Sequence, residues 1–185
     1  MSTQFSRHAA EPVLTVGATD LGHIAIAAYR GEILAVSFGH RTSGSALQRV
    51  AKLAALNVGD SGPISQEDDQ NLADDVLDRL QRFGAGESVD FSDVLTSAGH
   101  LSTFQRRVVK ACRAIPRGER RSYGELAVAA GSPGAARAVG QVMAANRHPL
   151  IVPCHRVVAA GGRIGGFSAP EGITMKCRLL NMESC

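Results

Sequence analysis

Cys154, His155 and Arg156 interrupt an otherwise apolar run, LIVPCHRVV at residues 150–158. A thiolate is a strong nucleophile, and a neighbouring imidazole oriented by a carboxylate is the usual means of making one. The run reads as a buried strand or the floor of a cleft. In an extended segment adjacent side chains point to opposite faces, so contact between thiol and ring needs a turn or a bridging water. Taken alone, a Cys-His pair is structural more often than catalytic. Two chemistries fail on spacing. A zinc deaminase carries PCxxC and an upstream HxE, whereas this chain has PCHR without the second Cys, and no HxE. A cysteine protease needs a distant His and an orienting Asn or Asp, and gives no reason for a basic helical pair beside the thiol.

The other cysteines are Cys112, Cys177 and Cys185, and none stands in CxxC or CxxH spacing. Neither a zinc ribbon nor a thioredoxin-type motif fits. With no apolar signal segment in MSTQFSRHAAEP, the compartment expected is the cytoplasm and the thiols are expected to be reduced. No run approaches the roughly 20 apolar residues of a membrane span.

The elements that position the thiol are helical. Phe104, Val108, Ala111, Cys112 and Ile115 form a stripe that Ser102 or Thr103 can cap and Pro116 ends, and Cys112 is a core residue on it. Ser122 and Glu125 stand at capping-box spacing and open a second helix, SYGELAVAAG, with Leu126, Ala129 and Ala130 on its apolar side. After the turn AGSPG a third helix runs through GAARAVGQVMAANRH, with Val139, Val142 and Met143 inward. Two short helices joined by a Gly-containing turn in a basic segment form a helix-turn-helix pattern, although any helical hairpin could produce it. Ala135, Ala136, Ala138 and Gly140 would let the third helix approach a surface closely. Arg137 is the one large cation among them.

The first half differs. VLTVGAT, GHIAIAAYR and GEILAVSFG, separated by DLG and RGE, read as an antiparallel meander. Leu47, Val50, Leu53 and Ala54 mark one helix, and Val76, Leu77, Leu80 and Phe83 another. DSGPISQEDD reads as the loop between them and ESVDFSDVL as a further strand. Nothing here looks chemical. The expected division is a tail over 1–12, a structural domain over 13–94 and a reactive domain over 95–185. Charge divides the same way: residues 1–94 hold 7 Lys/Arg and 13 Asp/Glu, and residues 95–185 hold 13 and 4. A basic second half points to a polyanionic partner, beside the plainer possibility of solvated helix faces. No Trp and few other aromatics argue against a stacking platform for single strands.

SYGELA, AARAVG, MAANRHPLIVPCHRVV and the closing KCRLLNMES, in this order, resemble the O6-alkylguanine-DNA alkyltransferase family over about residues 100–183. In the first half only the arrangement of strands and helix agrees. The resemblance implies an α+β fold: a small ribonuclease H-like antiparallel sheet with helices, then a mostly helical half with the helix-turn-helix. It implies a repair protein that flips O6-alkylguanine out of duplex DNA and takes the alkyl group irreversibly onto Cys154. His155 corresponds to the residue that draws off the thiol proton through a water, Glu183 to the carboxylate behind it, and Asn146 to the amide that fixes the turn. Tyr123 corresponds to the ring that crowds the target phosphate and Arg137 to the finger that fills the stack. Ser122, Ala135 and Ala136 fall on the DNA face. Met143, Val157, Phe167, Ser168 and Lys176 fall around the base pocket. The implied partner is double-stranded DNA, met in the minor groove without sequence preference by a monomer, with cooperative loading left open. Neither cofactor nor metal is implied.

Some positions depart from the family pattern. Phe167 stands where a Tyr is usual, Ala169 and Pro170 replace small flexible glycines, and Lys176 aligns only across two extra residues in GGFSAPEGITMK. Two rivals belong to other classes. A non-catalytic relative that flags lesions would lack Cys154. A sequence-specific regulator would carry base-reading side chains where this helix has mostly Ala, Gly and Val, Gln141 excepted.

Overall fold

The computed structural model describes residues 11–55 and 65–184. Three strands, β1 (Val13–Thr19), β2 (Gly22–Tyr29) and β3 (Glu32–His40), form an antiparallel meander in the order β1-β2-β3. The β2–β3 turn has Arg30 at φ 55° and Gly31 at φ 74°. The buried carboxylate of Asp69 holds it by accepting from both backbone N–H groups, at 2.8 and 2.7 Å. Helix α1 (Ser43–Ala54) buries Ala46, Val50 and Ala54 on one face of the sheet. Helix α2 (Gln66–Gly84) buries Ala73, Val76, Leu80 and Phe83 on the other.

The loop expected over residues 60–69 lies partly outside the described residues, and its last part is helix. Ser65 caps α2 by accepting from the Asp68 N–H, and Glu67, Asp68 and Asp69 complement the helix dipole in the first turn. ESVDFSDVL is not a strand. Asp90 accepts from Ser92 in a local turn, while Val89, Phe91 and Val94 anchor the segment to the core. The chain bonds to the sheet only at the segment's end, where Ile33 N–H donates to Leu95 O at 2.9 Å and Ile33 bridges to Thr96.

Helix α3 (Thr103–Arg113) carries the complete capping box of Ser102 and Gln105. Strand β4 (Arg121–Ser122) leads into α4 (Tyr123–Ala129), where Ser122 and Glu125 form the expected box. Ala127 rather than Ala129 faces inward there. Gly131, at φ 72°, closes α4, with Ser132 N–H donating back to Ala127. Helix α5 (Ala136–Ala144) then buries Val139, Val142 and Met143 against α3 and α4. The chain ends in α6 (Ile173–Glu183). The core under the sheet is not built from the first half alone, because Leu150, Ile151, Met175 and Leu179 pack into it. Arg113 and Arg117 tie the halves further by donating to carbonyls of 91, 94, 86 and 87.

No helix among the described residues is long and apolar enough to cross a membrane.

Candidate active site

The LIVPCHRVV run is not a strand. Leu150 sits at φ 74°, a conformation that costs a non-glycine residue about 1–2 kcal/mol, and its buried side chain goes into the core under the sheet. The cost is met by Asn146, whose carbonyl accepts from His148 N–H at 3.0 Å and whose amide donates to Val152 O at 3.0 Å. Pro153 then opens a 3₁₀ turn over Cys154–Arg156. Extended backbone resumes only in β5 (Val157–Val158), which pairs in parallel with β4. That pairing sets Tyr123 and the start of α4 beside the cysteine turn, 31 residues away in the chain.

The turn answers the geometric question the sequence raised. Cys154 and His155 are both buried, and they point into different surroundings. The thiol of Cys154 accepts from the Asn146 amide at 3.2 Å and faces a cavity. The ring of His155 lies fully buried with Nε2 3.0 Å from Glu183 Oε1. Arg156 closes the group: Nε and an Nη donate to the two oxygens of Glu183 at 2.9 and 2.8 Å, and the other Nη donates to Ile115 O at 2.6 Å. A forked guanidinium on a carboxylate is among the stronger buried pairings. His155 Nδ1 is buried with no hydrogen-bond partner among the described residues.

The electrostatics follow. Burial pushes the Cys154 thiol above its ordinary value, and the Asn146 hydrogen bond and the Lys176 charge only moderate this. Burial likewise holds His155 below the ordinary imidazole range against the pull of Glu183. For Glu183 burial acts upward, but the hydrogen bonds from His155 and Arg156 outweigh it and bring the carboxyl down to about 2. At neutral pH the site therefore rests as a neutral thiol, a neutral imidazole and a carboxylate. With Nε2 directed at a carboxylate, Nε2 carries the ring proton and Nδ1 is the free base.

Tyr123, Met143, Cys154, Phe167 and Ser168 line a cavity of about 240 Å³, together with Gly140 and Ala144 of α5. Gly165, at φ 73°, is needed beside it, because a Cβ there would meet the Tyr123 hydroxyl at 3.3 Å. Val157 and Lys176, expected around the pocket, stand behind it instead. Val157 is fully buried, and the buried Lys176 ammonium donates to Val157 O at 2.6 Å and Gly166 O at 3.3 Å. Lys176 thus braces the far wall, because a cation at this depth needs carbonyl partners. Ser122 is spent on its cap, and Arg137 stands exposed in the first turn of α5, with no ion pair or hydrogen bond among the described residues. Ala135 and Ala136 lie beside it, partly exposed.

The role of Arg156 as the second partner of Glu183 was not legible in the sequence. Neither was the contribution of the sheet, where Val36 N–H donates to Arg147 O at 2.8 Å and holds the Asn146 segment. Among the described residues no three His, Cys, Asp or Glu side chains gather as metal ligands.

The family model described as the DNA binding domain of 6-O-methylguanine DNA methyltransferase matches residues 103–185. The Mycobacterium tuberculosis methylated-DNA–protein-cysteine methyltransferase is 47% identical over 107 residues, 58% of this chain and 62% of that relative. The constitutive Bacillus subtilis enzyme of the same name is 42% identical over 113 residues, 61% of this chain and 66% of its own. The sequence match thus spans somewhat under two thirds of these curated relatives. The structural match runs further. The crystal structure of Mycobacterium tuberculosis OGT in complex with DNA superposes with a TM-score of 0.69 at 32% identity, over 92% of both chains. The O6-methylguanine-DNA methyltransferase of Pyrococcus kodakaraensis gives 0.68 at 28% identity, over 94% of this chain and all of its own. A likeness that holds through the sheet as well as through the helices and the cysteine turn places this chain in the O6-methylguanine-DNA methyltransferase family.

Proposed function

We propose that the protein removes the alkyl group from O6 of an alkylated guanine in double-stranded DNA and keeps it on Cys154. The observation that carries this reading is the buried Cys154 thiol, which opens onto a base-sized cavity beside α5 and has the His155–Glu183–Arg156 group behind it. O6 of a paired guanine is inside the duplex, so the nucleotide must leave the stack to reach a buried thiol. A proton passes from the thiol through a water to His155 Nδ1, and Glu183 stabilises the imidazolium that results. Sγ attacks the alkyl carbon, the new S–C bond forms as the C–O6 bond breaks, and the electron pair goes to O6. The departing guanine takes a proton. Ser168 and Tyr123 stand at the cavity to donate it, since burial holds the Tyr123 phenol protonated. Among the described residues no second nucleophile lines the cavity to release the thioether, so each molecule reacts once. No cofactor is required, because the substrate brings its own alkyl group.

The basic half supplies sequence-independent attraction to phosphates. Ala135 and Ala136 beside Arg137 suit close approach of α5 to the minor groove, with Arg137 filling the vacated place in the stack and Tyr123 crowding the target phosphate. The protein is proposed to act as a monomer. The test is intact mass after incubation with a duplex carrying one O6-methylguanine. A gain of one methyl group, ending at one equivalent, is the expected result. An unchanged mass overturns the reading.

Arg137→Ala separates flipping from chemistry. Flipping costs a few kcal/mol, so losing the residue that offsets it should slow repair in duplex by roughly tenfold or more. Reaction with free O6-benzylguanine, which needs no flipping, should stay close to the wild-type rate. Equal losses on the two substrates in single-turnover assays would remove the finger role.

A further inference from the structure

Cys154 borders two cavities. The second, about 160 Å³, lies on the sheet side of the thiol. Cys154, Phe167 and Ser168 line both cavities, so the Phe167 ring and Ser168 form the partition between them. Phe167 belongs to both cores and meets Phe38 edge-on at 6.3 Å.

The sheet reaches this place through a bulge. The β2–β3 register slips between His23–His40 and Ala25–Ser37, and Gly39 within the slip has φ 79°. A bulge re-aims the side chains on either side of it. Here Ser37, Phe38 and His40 all line the cavity. Leu53 and Arg49 join them from one face of α1, four residues apart. The lining thus mixes apolar side chains with the polar Ser37, His40 and Arg49. Ser37 Oγ and His40 Nε2 satisfy one another at 2.6 Å. Burial, and then the charge of Arg49, hold His40 below the ordinary imidazole range, so His40 is neutral at pH 7. Arg49 is exposed and makes no ion pair or hydrogen bond among the described residues. It is the cavity's uncommitted cation.

We propose that Arg49, in the lining of this second cavity, makes O6-substituents ending in a carboxylate good substrates. The proposal rests on the transfer reading above and specifies its substrate class. A carbon bonded to Sγ at the floor of the base cavity has its chain's exit past the partition. A space of roughly 150 Å³ holds a benzene ring, so the volume suits a butyl or benzyl-sized group. A guanidinium matches a terminal carboxylate in charge and in donor geometry.

The experiment uses three duplexes, carrying O6-methyl-, O6-butyl- or O6-(3-carboxypropyl)guanine. Single-turnover transfer is followed by intact mass for wild type, Arg49→Met, Arg49→Lys and Leu53→Phe. Arg49→Met should slow carboxypropyl transfer roughly tenfold, the worth of one charge-assisted hydrogen bond, and leave methyl and butyl transfer nearly unchanged. Arg49→Lys should recover part of that loss. Leu53→Phe, by filling the cavity, should slow both long chains and spare methyl, which also shows that the variant is folded. Unchanged carboxypropyl transfer in Arg49→Met, with methyl transfer intact, would overturn the proposal alone. So would equal loss on all three substrates, which assigns Arg49 to DNA backbone binding. Absence of methyl transfer in the wild type would overturn the transfer reading, and this proposal with it.

Discussion

Cys154→Ser should bind an O6-methylguanine duplex about as tightly as the wild type and transfer nothing. The hydroxyl fits where the thiol sits, and the Asn146 amide that donates to Sγ at 3.2 Å still finds an acceptor. Ser168, Tyr123 and the cavity walls are untouched. What is lost is the nucleophile. Even the thiol is held neutral here by burial, and a hydroxyl, far less acidic, gives His155 no anion to generate. Methyl transfer by intact mass should fall below detection while gel-shift affinity stays within about twofold, as fits a change that touches no phosphate contact. A methyl adduct on the Ser variant would move the acceptor to another thiol such as Cys177, which is partly exposed. Loss of binding equal to the loss of transfer would show Cys154 to be structural.

Glu183→Gln carries the second large effect, and it acts on stability and rate together. The carboxylate is the common acceptor for His155 and for both arms of Arg156 that reach it, all within a buried group. Removing one member of such a group leaves charge uncompensated, at a cost of about 3–5 kcal/mol for full loss, and the amide should retain the lower part of that. Urea denaturation at pH 7 measures it. The pH dependence is diagnostic. The Glu183 carboxyl is lowered on folding from 4.5 to about 2, so between those values the unfolded chain binds more protons. Its contribution is therefore fully present above pH 4.5 and is lost as pH falls toward 2. The gap between wild type and Glu183→Gln should shrink over that same interval. A gap that stays constant would show that Glu183 contributes packing rather than charge. Transfer should also slow, by roughly a hundredfold, because the imidazolium loses its counter-charge and Nε2 its acceptor. Wild-type transfer should hold its rate through neutral pH and fall only below the ordinary imidazole range, since His155 is held lower than that. Glu183→Gln should move that fall further down.

Part of this was legible along the chain. Amphipathic spacing located α3, α4 and α5, and the cap at Ser102 and the box at Ser122–Glu125 are local chemistry displayed within a few residues, whereas the Gln105 half of the first box emerged only in the structure. Cys154 with its neighbours marked the turn proposed to react, and small residues around Arg137 marked the face of α5 proposed to meet DNA. These are features in which the cause lies within a few residues of its effect. ESVDFSDVL failed as a strand because its alternation answers to anchoring on a core rather than to a partner edge. LIVPCHRVV lines a cleft, as one reading had it, but failed as a strand for a related reason. Apolar content predicts burial, but Asn146 and the left-handed Leu150 decide that the burial is a turn.

The tertiary structure decided the rest. Glu183 meets His155 across 28 residues, and Arg156 completes the pairing because the 3₁₀ turn sends consecutive side chains to different sides. Lys176 became a brace for the pocket wall, since depth in the core leaves its ammonium only carbonyls to meet. The sheet, which carries no chemistry of its own in sequence, supplies half of a cavity at the thiol through a one-residue slip in β-register. The sequence by itself determined which residues are candidates to react and which helices stand around them, because those signals are short-range. The protonation states, the shape of the two cavities and the partner of each charge depend on burial, and burial exists only once distant segments have packed.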